Sequence, residues 1–408
     1  MSMFAIINAR LIDPAGGAPD TGGLLIDDGR ISAVGDIAIP AGAETYDAKG
    51  LWLAPGIIDC GVFATDKPAF HFGGITRAAL MPDGSRPLDD PGLIERAAKG
   101  GKPDLWVHPI AAATKALAGT ELAEIGLMKA AGARAVATGR TRISDSGVMQ
   151  RVLAYAGALG LTMITHAEDE GLARGAVATD GEMATRLGLA SSPAIGEAMA
   201  VARDIMLAQA TGAPLHIRQV TTAAALDLVR SAKARGVAVT CGITPAHLFL
   251  SETAIGAFRT FARLSPPLRS EDDRRACIAA VADGTIDIIA SGHDPRGPEE
   301  KRLPFADAAP GMAGAETLLA LALGLVRDGA VSAERLFALL AANPAKLLGV
   351  PAGALTPGLE ADLILIDAQA PWQVDAKKMA AYAGNTPFDG LPVEGKVRAM
   401  WKGGQRIR

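Results

Sequence analysis

The chain is poor in residues that staple or stack. It has three cysteines, Cys60, Cys241 and Cys277, far apart and without a CxxC pair. That excludes a disulfide framework and a cysteine-rich zinc site. Aromatic residues make up 4% of the 408, which argues against base-stacking platforms. Charge is nearly balanced: 40 Lys and Arg against 44 Asp and Glu leave a formal net charge of −4. Neither half carries a long basic run, so no nucleic-acid or anionic-membrane partner is expected. The first residues, MSMFAIINARLIDP, show no basic leader and no long apolar run. Neither a signal peptide nor a transmembrane helix is expected, and the cytosol is the default compartment. No GxxxxGK[ST] phosphate loop and no GxSxG nucleophile elbow occur.

What is present is apolar and periodic. Hydrophobic residues reach 49% and charged residues 21%, as in a protein with a large buried core. The first 50 residues read as short strands with Gly-rich and Asp-Gly turns, as in GGLLIDDGRISAVG. The last 55 or so look alike, with GLEADLILID and VEGKVRAMWKGGQRI. This predicts one small β-sandwich domain built from residues 1–50 plus 351–408, since chain ends commonly lie close together.

Residues 51–350 alternate between apolar runs and helical patterns. Eight runs qualify as buried parallel strands: Leu51–Asp59, Ile75–Met81, Leu105–Ala111, Ala133–Thr138, Leu161–His166, Pro214–Val220, Val237–Ile243 and Ile286–Ala290. TTAAALDLVRSAKARG has apolar residues at 224, 225, 228, 229 and 232, a helical spacing, and AETLLALALGLVRDG is a second helical pattern, ended by Gly. Eight such units in about 300 residues predict a TIM (β/α)8 barrel, with an open doubly wound sheet as the alternative. In a barrel, function sits at the strand ends and in the loops after them.

Those strand ends carry a resemblance. PGIIDCGVF, GGITRAALMPDGSRP, THAEDEGL, VTCGITPAHLFL, LSPPLR, DGTIDIIASGHDP, PGMAGAET, ANPAKLLGV and NTPFDG follow one another in an order that resembles the amidohydrolase superfamily, and the dihydroorotase family in particular. The resemblance covers nearly the whole chain. It implies reversible opening of the dihydroorotate ring at a binuclear metal centre, usually zinc, which makes hydroxide and polarises the scissile carbonyl. Such a centre needs several imidazole and carboxylate ligands.

Carried over position by position, the resemblance implies that most of those ligands are gone. The two first-strand histidines fall on Gly61 and Phe63. The bridging acid falls on Ser146, beside Asp145. The strand-five histidine is His166. The strand-six histidine falls on Gln219, and the strand-eight aspartate on Gly292. One ligand position of six survives. The substrate contacts of the family fall on Thr65, Asp83, Ser265 and Arg296. The segment between Pro68 and Gly73 is about a dozen residues shorter than the family pattern, which removes most of the first helix.

The expected reading is therefore an inactive, dihydroorotase-like subunit of pyrimidine biosynthesis. By resemblance it holds the aspartate transcarbamoylase catalytic subunit in a homo- or hetero-oligomeric assembly, with no cofactor. The alternative is an active amidohydrolase with a rebuilt or single-zinc site using His166, Asp145, His293 and Asp294. A third reading is a metal-free binding protein using the relic pocket, expected at His166, Asp145, Gln219, His293, Asp294 and Arg269. Each residue also has a plainer role. His166 is a hydrogen-bonded relic and His293 with Asp294 a strand-end pair. Arg269 packs and pairs, His216 is a core residue, His247 is structural and His71 is exposed. Asp59 makes structural hydrogen bonds, and His108 could face the strand ends.

Overall fold

The computed structural model describes residues 3–408. The chain opens with β1 (Phe4–Leu11), β2 (Thr21–Asp27), β3 (Arg30–Gly35), β4 (Glu44–Asp47) and β5 (Trp52–Pro55). β1 pairs with β2 along one edge. Its other edge takes β4 at Phe4–Ile7 and β5 at Arg10–Leu11. The handover falls at Asn8, where φ is 56° and the β1–β2 register shifts. A bulge there bends the strand and lets one edge serve two partners.

The run Leu51–Asp59 is not one strand. It breaks at Pro55–Gly56, and β5 joins the terminal sheet while β6 (Ile57–Val62) starts the parallel strands. The terminal sheet therefore takes residues up to 55, where a boundary at 50 was expected. Apolar residues flank the break on both sides, so periodicity alone does not reveal it. Gly56 is needed at the junction, because a Cβ there would lie 2.3 Å from the Thr76 side chain.

β6 pairs in parallel with β7 (Ile75–Leu80), and β7 with β8 (Trp106–Pro109). The strands β9 (Ala111–Ala112), β10 (Val136–Ala137), β11 (Met163–Thr165), β14 (Leu215–Ile217), β15 (Val239–Ile243) and β16 (Ile288–Ile289) form a second parallel ribbon in that order. Between β11 and β14 a separate short pair, β12 (Ala178–Thr179) and β13 (Ser191–Ser192), sits on its own. The two ribbons meet twice. On one side β8 runs on through Ile110 into β9, with Ile110 N donating to Leu80 O of β7 at 2.9 Å and Ala111 N to Ala135 O beside β10 at 2.9 Å. At the other side Phe63 N donates to His293 O at 2.9 Å, and Ser291 N to Asp59 Oδ1 at 2.9 Å. This is an α/β fold.

The helices follow their predicted spacing. The helix Ala223–Ala234 buries Ala225, Leu226, Val229 and Ala232, and Thr222 caps it. The second pattern becomes the helix Leu318–Arg327. The shortened first segment keeps a small helix, α1 (Lys67–Gly73). Asp66 caps it, Pro68 starts it and Gly74 at φ 78° ends it. About two turns of helix are thus retained over seven residues, where most was expected to be lost. His71, expected to be exposed, is half-buried there.

The chain returns to the terminal sheet as β17 (Leu363–Gln373), β18 (Pro392–Lys402) and β19 (Gln405–Arg406). The hydrogen-bonded order is β19-β18-β17-β5-β1-β2-β3, with β4 on β1. This is one continuous sheet, where two facing sheets were expected. It curls so that Ile31 N reaches Leu359 O at 2.9 Å, and its core is built from Ile6, Leu24, Leu53, Leu363 and Trp401. Among the described residues no helix is long and apolar enough to cross a membrane.

Candidate functional site

The C-terminal ends of the parallel strands gather a buried charged cluster. His166, just after β11, is its centre. Its Nδ1 lies 3.1 Å from Arg218 Nη2, and its Nε2 lies 2.9 Å from Glu168 Oε2. A guanidinium has no acceptor, so Nδ1 accepts and Nε2 carries the proton donated to Glu168. His166 N also donates to Thr138 Oγ1 at 3.1 Å. Burial alone would raise the Glu168 carboxyl. Its contact with His166 and the charges of Arg269 and Arg142 outweigh burial and hold it at about 2.

Arg218 follows β14 and is wholly enclosed. Burial lowers its guanidinium to about 10, against the pull of Asp83, Asp294 and Glu168. It stays charged at neutral pH. Phe63 stands between two such groups, with the Arg140 guanidinium 4.0 Å and the Arg218 guanidinium 5.1 Å from its ring centre. Arg140 grips Asp294 through Nη2 to Oδ1 at 2.7 Å and Nε to Oδ2 at 3.0 Å. Its backbone N–H donates to Asp83 Oδ1 at 2.6 Å. Burial raises the Asp83 carboxyl, and Arg140 and Arg218 oppose it.

The positions where ligands are lost explain themselves locally. Gly61 has φ 119° and Gly292 has φ 61°, both in the region that favours glycine. A Cβ on Gly292 would come within 2.9 Å of Thr244 Cγ2. Gln219 is buried and its Oε1 finds no partner among the described residues.

Three of the expected pocket residues lie elsewhere. Asp145 is exposed and caps the helix Ser146–Ala158, accepting from Val148 N at 2.8 Å. Ser146 is the exposed first residue of that helix. An Asp-Ser-Gly sequence suits an N-cap as well as a ligand loop, and here it caps. His293 does not pair with Asp294. Its Nδ1 accepts from Ala315 N at 3.3 Å, so its Nε2–H faces Asp66 Oδ2 at 3.4 Å, and Phe70 stacks edge-on against it. Arg269 is bound in a neighbouring network with Glu197, Thr221 and Thr179, and its Nη2 is 3.9 Å from Glu168. His166, Gln219 and Asp294 do stay together around Arg218. Sequence reading missed Arg218, Arg140 and Glu168. The one available signal is a charged residue directly after a short apolar run, as in PLHIR and AVATGR.

Beside a separate space of about 320 Å³ lined by Arg142, Glu168, Arg263 and Ser265, the residues Phe63, Arg140, Arg218, Gln219, Thr244 and Asp294 line a cavity of about 40 Å³. That is room for about two or three waters, far below the roughly 300 Å³ at which ligand pockets begin. A dihydroorotate ring does not fit it. A binuclear metal centre does not fit either. The six positions that the resemblance assigns to it hold Gly61, Phe63, Ser146, His166, Gln219 and Gly292, with no carboxylate among them, and the one imidazole has both nitrogens engaged. Among the described residues no group of three or more His, Cys, Asp or Glu side chains is placed to hold an ion.

Comparisons with known proteins agree on ancestry. A dihydro-orotase-like family model matches residues 58–225. A protein named Dihydroorotase from Syntrophotalea carbinolica is 39% identical over 409 residues, covering 96% of each chain. One of the same name from Geobacter metallireducens is 38% identical, covering 98% of each. Among solved structures, L-hydantoinase (dihydropyrimidinase) from Arthrobacter aurescens superposes with a TM-score of 0.89 at 26% identity, over 100% of this chain and 96% of that one. Dihydropyrimidinase from Brevibacillus agri gives 0.84 at 21% identity, over 99% and 95%, and so speaks to the fold alone.

Proposed function

Because this chain belongs to the dihydroorotase family, we propose that it is a metal-free member, a dihydroorotase-like protein of pyrimidine biosynthesis without hydrolase activity of its own. The carrying observation is His166. It is the one ligand position that survives, and its free lone pair is taken by Arg218 at 3.1 Å. No lowered water pKa is then available at the strand ends, and no carboxylate stands at position 292 to act as base. The two seams between the parallel ribbons support reading them as one (β/α)8 barrel rather than an open sheet, with the terminal sheet as a second, composite domain.

As part of this proposal the chain serves as a structural subunit beside the aspartate transcarbamoylase catalytic subunit, in the cytosol. The support for that role is the resemblance together with a framework kept around a rewritten site. Separate elution of the two proteins at micromolar concentration would remove it.

A second reading is an active dihydroorotase, which the names of the relatives favour. It requires the rebuilt group His166, Asp145, His293 and Asp294 to converge. Asp145 lies exposed on a helix cap and His293 faces Asp66, so the geometry speaks against it. One experiment separates the readings. The purified protein is equilibrated with excess zinc and desalted. Metal is then counted per chain, and dihydroorotate and carbamoyl aspartate are assayed with and without zinc. The expected result is no retained metal and no turnover. One or two metals per chain with turnover establishes the hydrolase instead.

A further inference from the structure

We propose that the Arg218 guanidinium is a built-in replacement for the lost metal, the cation around which the strand ends close. This deepens the metal-free reading and rests on it. Three independent features of the geometry carry it.

The first is space. The Arg218 stem crosses over Gly61, so that a Cβ there would lie 3.7 Å from Arg218 Cδ and 3.9 Å from Cγ. A side chain on the first strand at position 61 would therefore pack directly against the arginine stem. Restoring a histidine at 61 would meet both that stem and a φ of 119°.

The second is coordination chemistry. In metal sites a ligating imidazole presents one lone pair to the ion and donates its other N–H to a carboxylate. His166 does the same here, with the guanidinium in the ion's place. Nδ1 accepts from Arg218, and Nε2–H donates to Glu168. A carboxylate stands on the outer side of the imidazole, and a side-chain cation stands where an ion would be.

The third is charge. Asp83, Asp294 and Glu168 all act on Arg218. By resemblance, two of the vanished ligands, at Ser146 and Gly292, are acids. Their loss removes negative charge that two metal ions would balance. The three acids that stay face Arg218 and Arg140, whose guanidinium groups both lie over the Phe63 ring, with Arg296 on Asp294 at 3.0 Å and Arg142 and Arg269 at 3.8 and 3.9 Å from Glu168. The Arg218 Nε and the Asp83 Oδ2 have no partner among the described residues, as expected where one singly charged guanidinium sits in a site with room for a few waters.

The test is chemical rescue. Arg218→Ala leaves a guanidinium-sized hole beside His166 and Phe63. Its Tm is expected to fall by about 4 °C or more, the scale for breaking a buried charge cluster in a chain of this size. Low-millimolar guanidinium, far below its denaturing range, is expected to restore at least half of that fall. Equal urea or sodium chloride is expected to restore none. Arg218→Lys keeps the charge without the planar fork and is expected to show a smaller fall, which also serves if the alanine variant does not fold. An unchanged Tm in Arg218→Ala, or no rescue, or a Lys variant as stable as the parent overturns the proposal. If the parent also retains no zinc, the metal-free reading survives that failure. Stoichiometric zinc on the parent overturns both.

Discussion

Two buried arginines, Arg218 after β14 and Arg269 in the loop before the helix Glu271–Ala282, differ in how they are held. Arg269 is fully engaged: Nε donates to Thr221 Oγ1 at 2.9 Å, Nη1 to Thr179 Oγ1 at 3.1 Å and Nη2 to Glu197 Oε2 at 3.2 Å. Glu197 is filled as well, accepting from the backbone N–H groups of Thr221 and Thr222 at 2.7 and 2.9 Å and from both hydroxyls. Arg218 makes one side-chain hydrogen bond, to His166, and its Nε makes none among the described residues. A network in which every guanidinium nitrogen has an acceptor is what a structural charge requires. A cation with vacant donors, a cavity beside it and a second arginine across a phenyl ring is what a vacated site looks like after refilling. On the metal-free reading proposed above, the difference separates the part that holds the fold from the part that the resemblance assigns to chemistry.

The largest way to break that contrast is Glu197→Ala. It leaves Arg269 with only the 3.9 Å approach to Glu168 as charge partner and two backbone donors unpaired, a loss of about 3–5 kcal/mol. Against a total stability of about 5–15 kcal/mol, poor soluble yield and a strongly lowered urea midpoint are expected. If Glu197→Ala costs less than Arg218→Ala, the ranking of the two networks is reversed.

Next in size is acid sensitivity. His108 and His216 are lowered to about 3 and His247 to about 4, in each case mainly by burial. Their unfolded value is 6.5. A lowered histidine is stabilising above 6.5, and that contribution is lost as pH falls from 6.5 toward 4 and 3, because the unfolded chain takes up the protons first. Glu168 is lowered from 4.5 to about 2, so its contribution is full above 4.5 and is lost between 4.5 and 2. Urea midpoints are therefore expected to fall from pH 6.5 downward and more steeply below 4.5. Glu168→Gln is expected to remove the steeper part alone. A flat profile from pH 7 to 5 would contradict the burial of the three histidines.

Phe63→Leu is smaller again. It keeps an apolar side chain but removes the ring face between Arg140 and Arg218. A loss of about 1–2 kcal/mol is expected, read as a shift in the denaturation midpoint. The effect should shrink in the Arg218→Ala background, because the two residues share one contact.

Much of the scaffold is legible in the chain and less of the site. The helix Ala223–Ala234 is legible because its apolar positions repeat at helical spacing and Thr222 is a good cap. His166 is legible as a strand-end residue. Which atoms it touches is not, because Arg218 and Glu168 lie in different segments and meet only through the fold. The split between β5 and β6 is hidden by apolar residues on both sides of Pro55–Gly56. Arg218 reads as an ordinary polar residue after PLHI, and nothing in its neighbours announces that it is fully enclosed. Period-based reading finds faces of elements. It does not find a charge that is paid for by partners a hundred residues away in sequence.

Asp145 gives the finest test, since two readings of one short segment differ in a measurable way. As a helix cap its role is to accept from Val148 N at 2.8 Å. Asn, Asp and Ser cap about equally well, whereas Ala costs about 1 kcal/mol. Asp145→Asn should then match the parent within the few tenths of a kcal/mol that a charge near a helix N-terminus supplies, and Asp145→Ala should lose about 1 kcal/mol. As part of a rebuilt ionic site, the carboxylate itself would matter. Asp145→Asn would then be as damaging as Asp145→Ala, and zinc or dihydroorotate would change the stability of the parent but of neither variant. The side chain is exposed and sits on the helix that follows β10, away from the cavity around Arg218. Equal behaviour of parent and Asp145→Asn therefore keeps the acid with the scaffold, and leaves the guanidinium of Arg218 as the charge around which the strand ends are organised.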